Sequence, residues 1–236
     1  MGKLSQFVLG TATLLGATAA QAQTAPPPQL WNTSNWKYSG RTMVPVKMYQ
    51  YVDSRCRPAL ARAVSTYNAQ RSRLVFSHSA STTTTYNLEN GNNSDLIVSY
   101  FQTSAMDTPT ALAETDYTKA SGSANVFGPG FLVSDTDIRI NFDYMMYGGD
   151  GGSSSVGRYY CPSTATTIPP LPSNWVDSKL IYDFETIMLH ELTHAAGLSH
   201  WSDTNCAMRD GYQAHVQRRF YCTSESNFLK SLYGTL

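Results

Sequence analysis

The sequence predicts one α+β domain. Short stretches rich in β-branched and aromatic residues occur together with two amphipathic helical patterns, in the order strand, helix, several strands and helix. This order of elements is typical of a single α/β or α+β domain. The chain has 236 residues, of which 42% are apolar, and it is therefore long enough to bury a sizeable core.

The first predicted elements are a strand at 43–52 and a helix that begins at Pro58. The strand is rich in valine and tyrosine, and proline is favoured in the first turn of a helix. The helix is predicted to extend to about Arg73. Its apolar residues recur at helical spacing and should form one buried face: Leu60, Ala63, Val64 and Tyr67.

Four more strands follow in the sequence. They are predicted at 74–78, 95–101, 111–118 and 137–144. The polar segment 79–94 is expected to be a surface connection. The segment 147–177, which contains a glycine cluster and a run of prolines, is predicted to be a long irregular loop.

A second amphipathic pattern begins at Asp183, a residue type that is favoured at the N-cap of a helix. This predicted helix carries His190 and His194, which lie four residues apart and therefore project from one face. Two imidazoles so placed can bind one metal ion. Gly197 allows the chain to reverse in a left-handed conformation, so that His200 can return to the same metal.

Glu191 lies beside the first of these histidines, rotated by about 100° around the helix axis. It is too far round to be an equivalent ligand, but it can reach a water molecule on the metal. The complete string is His-Glu-x-x-His-x-x-Gly-x-x-His over residues 190–200. In a chain of this composition the string arises by chance only a few times in roughly a million. The other two histidines, His78 and His215, lie outside the string and are expected to be ordinary structural residues.

The string resembles the signature of the metzincin zinc endopeptidases, which continues to a methionine-containing turn. Met208, eight residues after His200, is the candidate for that turn. The order of the predicted elements is most similar to the matrixin-type catalytic domain. The resemblance implies a twisted mixed sheet of about five strands with a backing helix, a zinc-binding active-site helix, the methionine turn and a C-terminal helix near 224–234.

The resemblance also implies a mechanism. One catalytic Zn²⁺ would be held by His190, His194 and His200, which leaves a position for water. Glu191 would act as the general base that takes a proton from this water and then delivers it to the leaving amine. Met208 would form a hydrophobic floor under the metal. A protein or peptide substrate would lie extended and antiparallel to the strand at 111–118.

Three features depart from the matrixin pattern. The proline that typically stands two residues after the methionine is absent. Asp143 resembles a calcium-binding position, but Met146 stands where a glutamate is expected, and the glycine cluster at 148–152 lacks the acidic spacing of a calcium loop. A Ca²⁺ site therefore stays open, without a clear motif. Only a short leader at 23–35 is expected before the domain, without a long propeptide that carries a switch cysteine.

The N-terminus is interpreted as a signal peptide at 1–22. Lys3 supplies a positive charge, residues 7–20 are mostly apolar, and a small-x-small cleavage site ends at Ala22. The catalytic domain is then predicted at 36–236. We expect a secreted protein, extracellular or periplasmic, that has no membrane anchor.

An oxidising compartment favours two disulfides among the four cysteines, with three possible connectivities. Local closure favours Cys206–Cys222, which leaves Cys56–Cys161 as a long-range pair. This pairing is the one that we predict.

The charge is balanced, with 17 Lys+Arg against 17 Asp+Glu, and this argues against a nucleic-acid partner. We expect a monomer that acts on proteins or peptides. Two other functions stay open. One is an exported zinc-binding module without catalysis, which Glu191 argues against because a structural site needs no base. The other is a zinc amidase that acts on cell-wall peptides.

Overall fold

The computed structural model describes residues 30–31, 37–38, 41–84, 96–101, 106–107, 111–119, 132–141, 145–147, 158–165, 167, 180–201 and 205–236. The predicted signal peptide, Asp143 and the glycine cluster at 148–152 lie outside the described residues.

Seven strands form one mixed sheet. They are β1 (Leu30–Trp31), β2 (Lys37–Tyr38), β3 (Arg41–Tyr49), β4 (Leu74–Thr83), β5 (Leu96–Phe101), β6 (Ala113–Lys119) and β7 (Leu132–Asn141). The strands β4, β3, β5 and β7 lie side by side in that order and are parallel. β6 pairs antiparallel with β7 and forms the edge of the sheet in the described part of the chain. The predicted mixed sheet is therefore confirmed.

Three α-helices and a small second sheet complete the fold in the described part of the chain. The helices are α1 (Arg57–Asn68), α2 (Phe184–Ala195) and α3 (Thr223–Tyr233). The second sheet consists of three short parallel strands, β8 (Met145–Tyr147), β9 (Arg158–Tyr160) and β10 (Ile181–Asp183). β10 leads directly into α2, and α2 packs against α1 and β6. None of the helices in the described part of the chain has the length and apolar content needed to cross a membrane.

The core lies between the main sheet and the first two helices. The predicted apolar face of α1 is buried there, with Leu60, Ala63 and Tyr67 fully inaccessible to solvent. Ile138 and Ile140 of β7 are equally buried. Full burial of one such large aliphatic side chain contributes about 1.5–3 kcal/mol, so this layer holds the helices on the sheet.

Several predicted boundaries were wrong. α1 ends at Asn68 rather than near Arg73, because Arg71 adopts a left-handed backbone with φ of 59°. β4 continues to Thr83 through its pairing with β3, so the predicted connection at 79–94 begins as a strand. The segment 147–177 contains β9, which lies between β8 and β10 and was not predicted. Four other short strands, β1, β2, β8 and β10, were also missed, and β1 lies within the predicted leader and pairs with β7.

Both predicted disulfides are present. Cys56–Cys161 joins the beginning of α1 to the end of β9, and Cys206–Cys222 closes the segment before α3. In the chain-entropy model the longer of these loops restricts the unfolded chain more strongly, by roughly 4 kcal/mol.

Candidate active site

A helix cap and several ion pairs hold the first turn of α2 in place. Asp183 caps the helix, since its carboxylate accepts a hydrogen bond from the backbone N–H of Thr186 at 3.0 Å, as predicted. Asp183 also forms an ion pair with Arg219. Glu185 lies 2.7 Å from Arg62 Nε of α1 and 3.4 Å from an Arg219 Nη atom. The beginning of the helix is thereby tied to both α1 and the segment before α3.

Further along α2 the structure brings three histidines together. His190 and His194 lie one turn apart, and Gly197 reverses the chain with φ of 90°, as its position predicted. His200 then returns to the same place. One ring nitrogen from each of the three imidazoles lies within 4.8 Å of the other two.

The ring orientation of two of these histidines is set by backbone carbonyls. His190 Nδ1 lies 2.7 Å from the carbonyl oxygen of Ala207, and His194 Nδ1 lies 2.6 Å from that of Leu198. A carbonyl oxygen only accepts, so each Nδ1 must carry a proton and donate it. Burial lowers the pKa of His194 to about 4 and that of His190 well below its usual value, which keeps both rings neutral at pH 7.

The protonation state of His190 and His194 indicates whether the site can hold a metal ion. A neutral imidazole that donates through Nδ1 has a bare lone pair on Nε2. The Nε2 atoms of His190 and His194 face each other at 2.9 Å, where two lone pairs would repel unless a cation lies between or beside them. Two nitrogen ligands on tetrahedral zinc are about 3.3 Å apart, which is close to this spacing. The donor set therefore fits zinc.

Glu191 lies next to this group and is almost completely buried, with 3% of its surface exposed. Its Oε2 accepts a hydrogen bond from Thr115 Oγ1 at 2.5 Å, and its Oε1 accepts one from the Tyr212 hydroxyl. Burial raises the pKa of Glu191 to about 7, although the two hydroxyl hydrogen bonds lower it. The carboxyl group can consequently change its protonation state near neutral pH.

The turn around Met208 is held in place from two sides. The backbone N–H of Met208 donates to Glu225 Oε1 at 2.7 Å, and its carbonyl accepts from the N–H of Trp201 at 2.6 Å. The Cys206–Cys222 disulfide binds the same turn to the beginning of α3. Met208 itself is fully buried. Because Ala207 in this turn accepts from His190, the disulfide and Glu225 also help to fix that ring.

The three histidines and Glu191 open into a cleft of about 740 Å³. One wall is β6, which is bonded directly to α2. Thr115 of this strand binds Glu191, and the Tyr117 hydroxyl donates to the carbonyl of His194 at 2.8 Å. The opposite wall contains the segment that follows the Met208 turn, with Asp210, Gly211 and Tyr212.

The sequence patterns did not reveal every residue of this arrangement. Thr115 and Tyr212 lie 76 and 21 residues from Glu191 in the chain, and neither belongs to a local motif. Glu225 was also missed, although its position three residues after Cys222 is the spacing at which a glutamate bonds back to the helix start. His78 and His215, which were expected to be structural, are not part of the histidine group.

Convergent imidazoles beside a buried carboxylate, in an open cleft, are typical of metal-dependent hydrolases. The sequence model of one such group, the matrixins of peptidase family M10, matches residues 50–234. The match covers well over half of the chain, and the protein belongs to the matrixin family, whose members are zinc metalloproteases. The resemblance inferred from the sequence is thereby confirmed. Among curated proteins, no match to the chain is found.

Proposed function

We propose that the protein is a secreted zinc-dependent endopeptidase. The observation that carries this proposal is the convergence of three imidazole nitrogens beside Glu191, in a cleft that follows the edge strand β6. Membership of the matrixin family supports the same activity.

In this proposal His190, His194 and His200 hold one Zn²⁺. When bound, zinc supplies a Lewis acid that lowers the pKa of water and polarises the substrate carbonyl. The two carbonyl oxygens that accept from Nδ1 keep the first two rings in the tautomer that a metal needs. In the third ring, Nδ1 of His200 lies 3.3 Å from Asp210 Oδ1.

Glu191 acts as the general base. In the proposed mechanism it accepts a proton from the attacking water and passes it to the leaving amine. Thr115 and Tyr212 hold the two carboxylate oxygens from opposite walls of the cleft. Each carboxylate oxygen can accept more than one hydrogen bond, so Glu191 can accept from the water while Thr115 and Tyr212 remain bound to it.

The substrate is proposed to lie along β6 as an added antiparallel strand. β6 pairs with β7 along one side, and its other side borders the cleft. Backbone hydrogen bonds to an edge strand hold an extended peptide with little dependence on its sequence. The hydrogen bonds from Thr115 and Tyr117 to α2 hold β6 in place. A peptide paired with β6 would therefore lie at a fixed distance from the histidines.

Export is proposed from the N-terminal sequence, with 1–22 as signal peptide and 36–236 as the catalytic domain. The two disulfides fit an oxidising compartment. A calcium site, which the sequence left open, is not part of this proposal.

The direct test is hydrolysis of unfolded casein by the purified, oxidised mature chain. We expect cleavage that stops on addition of a zinc chelator and returns when zinc is restored in excess. Cleavage that a chelator leaves unchanged would exclude the metal mechanism. A folded, zinc-loaded protein that cleaves no polypeptide but releases peptides from cell-wall fragments would favour the amidase, and one inert toward both would favour the zinc-binding module.

Replacement of one ligand tests the metal site separately. His200→Ala should weaken zinc binding by at least about 100-fold, because even the loss of a residue that only supports a ligand costs 10–100-fold. The matched control is His78→Gln, since His78 lies outside the histidine group. Equal zinc affinity of the His200→Ala variant and the wild type, measured in a metal buffer, would remove His200 from the ligand set.

A further inference from the structure

The outer face of β6, which points away from α2, carries two acidic residues, Glu114 and Asp116. Successive side chains of a strand point to opposite faces. Thr115 and Tyr117 point to α2, since both donate hydrogen bonds to it. Glu114 and Asp116 therefore lie on the outer face, where Glu114 is the cross-strand partner of Arg139 in β7.

Arg139 is shared by three carboxylates. It forms an ion pair with Asp116, lies 3.0 Å from Asp107, and also interacts electrostatically with Glu114. These four side chains together carry three negative charges and one positive charge. Burial raises the pKa of Asp116, and the charges of Asp107 and Glu114 raise it further against the lowering effect of Arg139. The four named groups therefore have a net negative charge.

The cleft beside this cluster has the same sign of charge. Its described lining includes Asp107, Glu114, Asp116 and Asp210, and none of the described side chains that line it is a lysine or an arginine. Asp107 and Asp210 are largely exposed, at 79% and 83% of their side-chain surface. Glu114 and Asp116 belong to β6 itself, so a peptide bound along the edge of this strand would lie beside them.

A peptide added to that edge would place its side chains in a fixed pattern. In an antiparallel pair, directly opposed residues have Cβ atoms about 4.5–5.5 Å apart. Two substrate residues separated by one intervening residue would therefore stand across from Glu114 and Asp116 and point to the outer face. The intervening residue would point toward α2 and the histidines.

We propose that the preferred substrates are polypeptides with lysine or arginine at these two alternate positions. This inference rests on the proposed function, since it assigns the residues of the substrate strand that β6 selects. Cross-strand pairs of opposite charge are weak individually, so each basic residue should raise kcat/KM by about two- to fivefold. Screening should reduce the preference at high salt, because Asp107 is largely exposed and Asp116 is partly exposed.

The experiment is digestion of a proteome-derived peptide mixture by the zinc-loaded mature protein, with the cleavage sites read by mass spectrometry. We expect lysine and arginine to be enriched at two positions separated by one residue, and aspartate and glutamate to be depleted there. Glu114→Gln keeps an acceptor for the backbone N–H of Asp107, which now donates to Glu114 Oε2 at 2.9 Å. This variant should lose the enrichment at one of the two positions and keep it at the other.

Asp53→Asn is the matched control, because it removes one negative charge from a residue that pairs with Arg55 and does not line the cleft. It should retain both preferences. Cleavage by the wild type without basic enrichment, or a Glu114→Gln pattern identical to that of the wild type, would overturn this inference and leave the proposed function intact. Absence of any cleavage by the zinc-loaded wild type would overturn the proposed function and this inference with it.

Discussion

The two halves of α2 each bury a glutamate, but they provide it with different partners. Glu185, in the first turn, lies between the guanidinium groups of Arg62 and Arg219. Glu191, less than two turns later, has only hydroxyl groups as hydrogen-bond donors to its carboxylate in the described structure. A guanidinium compensates the charge of a buried carboxylate, whereas a hydroxyl does not, and burial then raises the pKa of Glu191 to about 7. The two glutamates therefore differ in the charge of their partners, and the proposed base is the one whose side-chain hydrogen-bond donors in the described structure are uncharged.

The largest effect on stability is expected from Glu185→Gln. Loss of this charge leaves two guanidinium groups near each other in a largely buried place, where the loss of one partner costs about 3 kcal/mol. Urea unfolding at pH 7 measures this loss, and kcat/KM per folded molecule should stay close to that of the wild type. Wild-type stability together with a large loss of activity would reverse the roles that we assign to the two glutamates.

A somewhat smaller effect is expected from pH in the metal-free protein. The pKa of Glu191 is about 7 in the folded chain and 4.5 for a free glutamate. Because the folded value is the higher one, this contribution is fully present below pH 4.5 and is lost as the pH rises to about 7. The difference corresponds to about 3 kcal/mol at most.

Comparison with Glu191→Gln isolates this contribution, since the histidines titrate in both proteins and cancel. Between pH 4.5 and pH 8 the wild type should lose roughly 2–3 kcal/mol more stability than the variant. Parallel stability curves for the two chelator-treated proteins would show that Glu191 does not titrate in this range.

The smallest effect is expected from loss of the Tyr212 hydroxyl, which donates a hydrogen bond to Glu191. Tyr212→Phe removes a hydrogen bond to Glu191 Oε1, and hydrogen bonds to charged groups contribute about 1.5–3 kcal/mol. We expect kcat to fall about tenfold with little change in KM. Tyr233→Phe is the control, because its hydroxyl donates to the carbonyl of Ala196 at the other end of α2. Equal effects of the two variants on kcat would indicate a general loss of helix stability rather than misplacement of the base.

The sequence predicted those parts of the site that depend on local spacing. His190, His194 and Gly197 belong to one helix and its turn, so their relative positions follow from helix geometry and from the left-handed conformation that glycine allows. Both disulfides were also predicted, because local closure favours Cys206–Cys222 and leaves Cys56 and Cys161 as the other pair.

The features that the sequence did not predict depend on contacts between residues that lie far apart in the chain. Thr115 reaches Glu191 from a strand 76 residues earlier, and no periodicity in either segment records that contact. The early end of α1 follows from Arg71, which takes a left-handed backbone just before Ser72 pairs with Thr235 near the C-terminus. Tertiary pairing of this kind overrides local helical spacing. The same explanation applies to β9, which exists through its two neighbouring strands.

The most direct test of the account is the turnover number of Glu191→Gln for casein, expressed per mole of bound zinc and compared with that of Glu185→Gln. The substitution is the same in both variants, and both residues lie in α2. We expect Glu191→Gln to bind a full equivalent of zinc but to turn over about 10²- to 10⁴-fold more slowly, as for the loss of a general base, while Glu185→Gln retains its rate. A zinc-loaded Glu191→Gln variant that hydrolyses casein at the wild-type rate would contradict the assignment of the base.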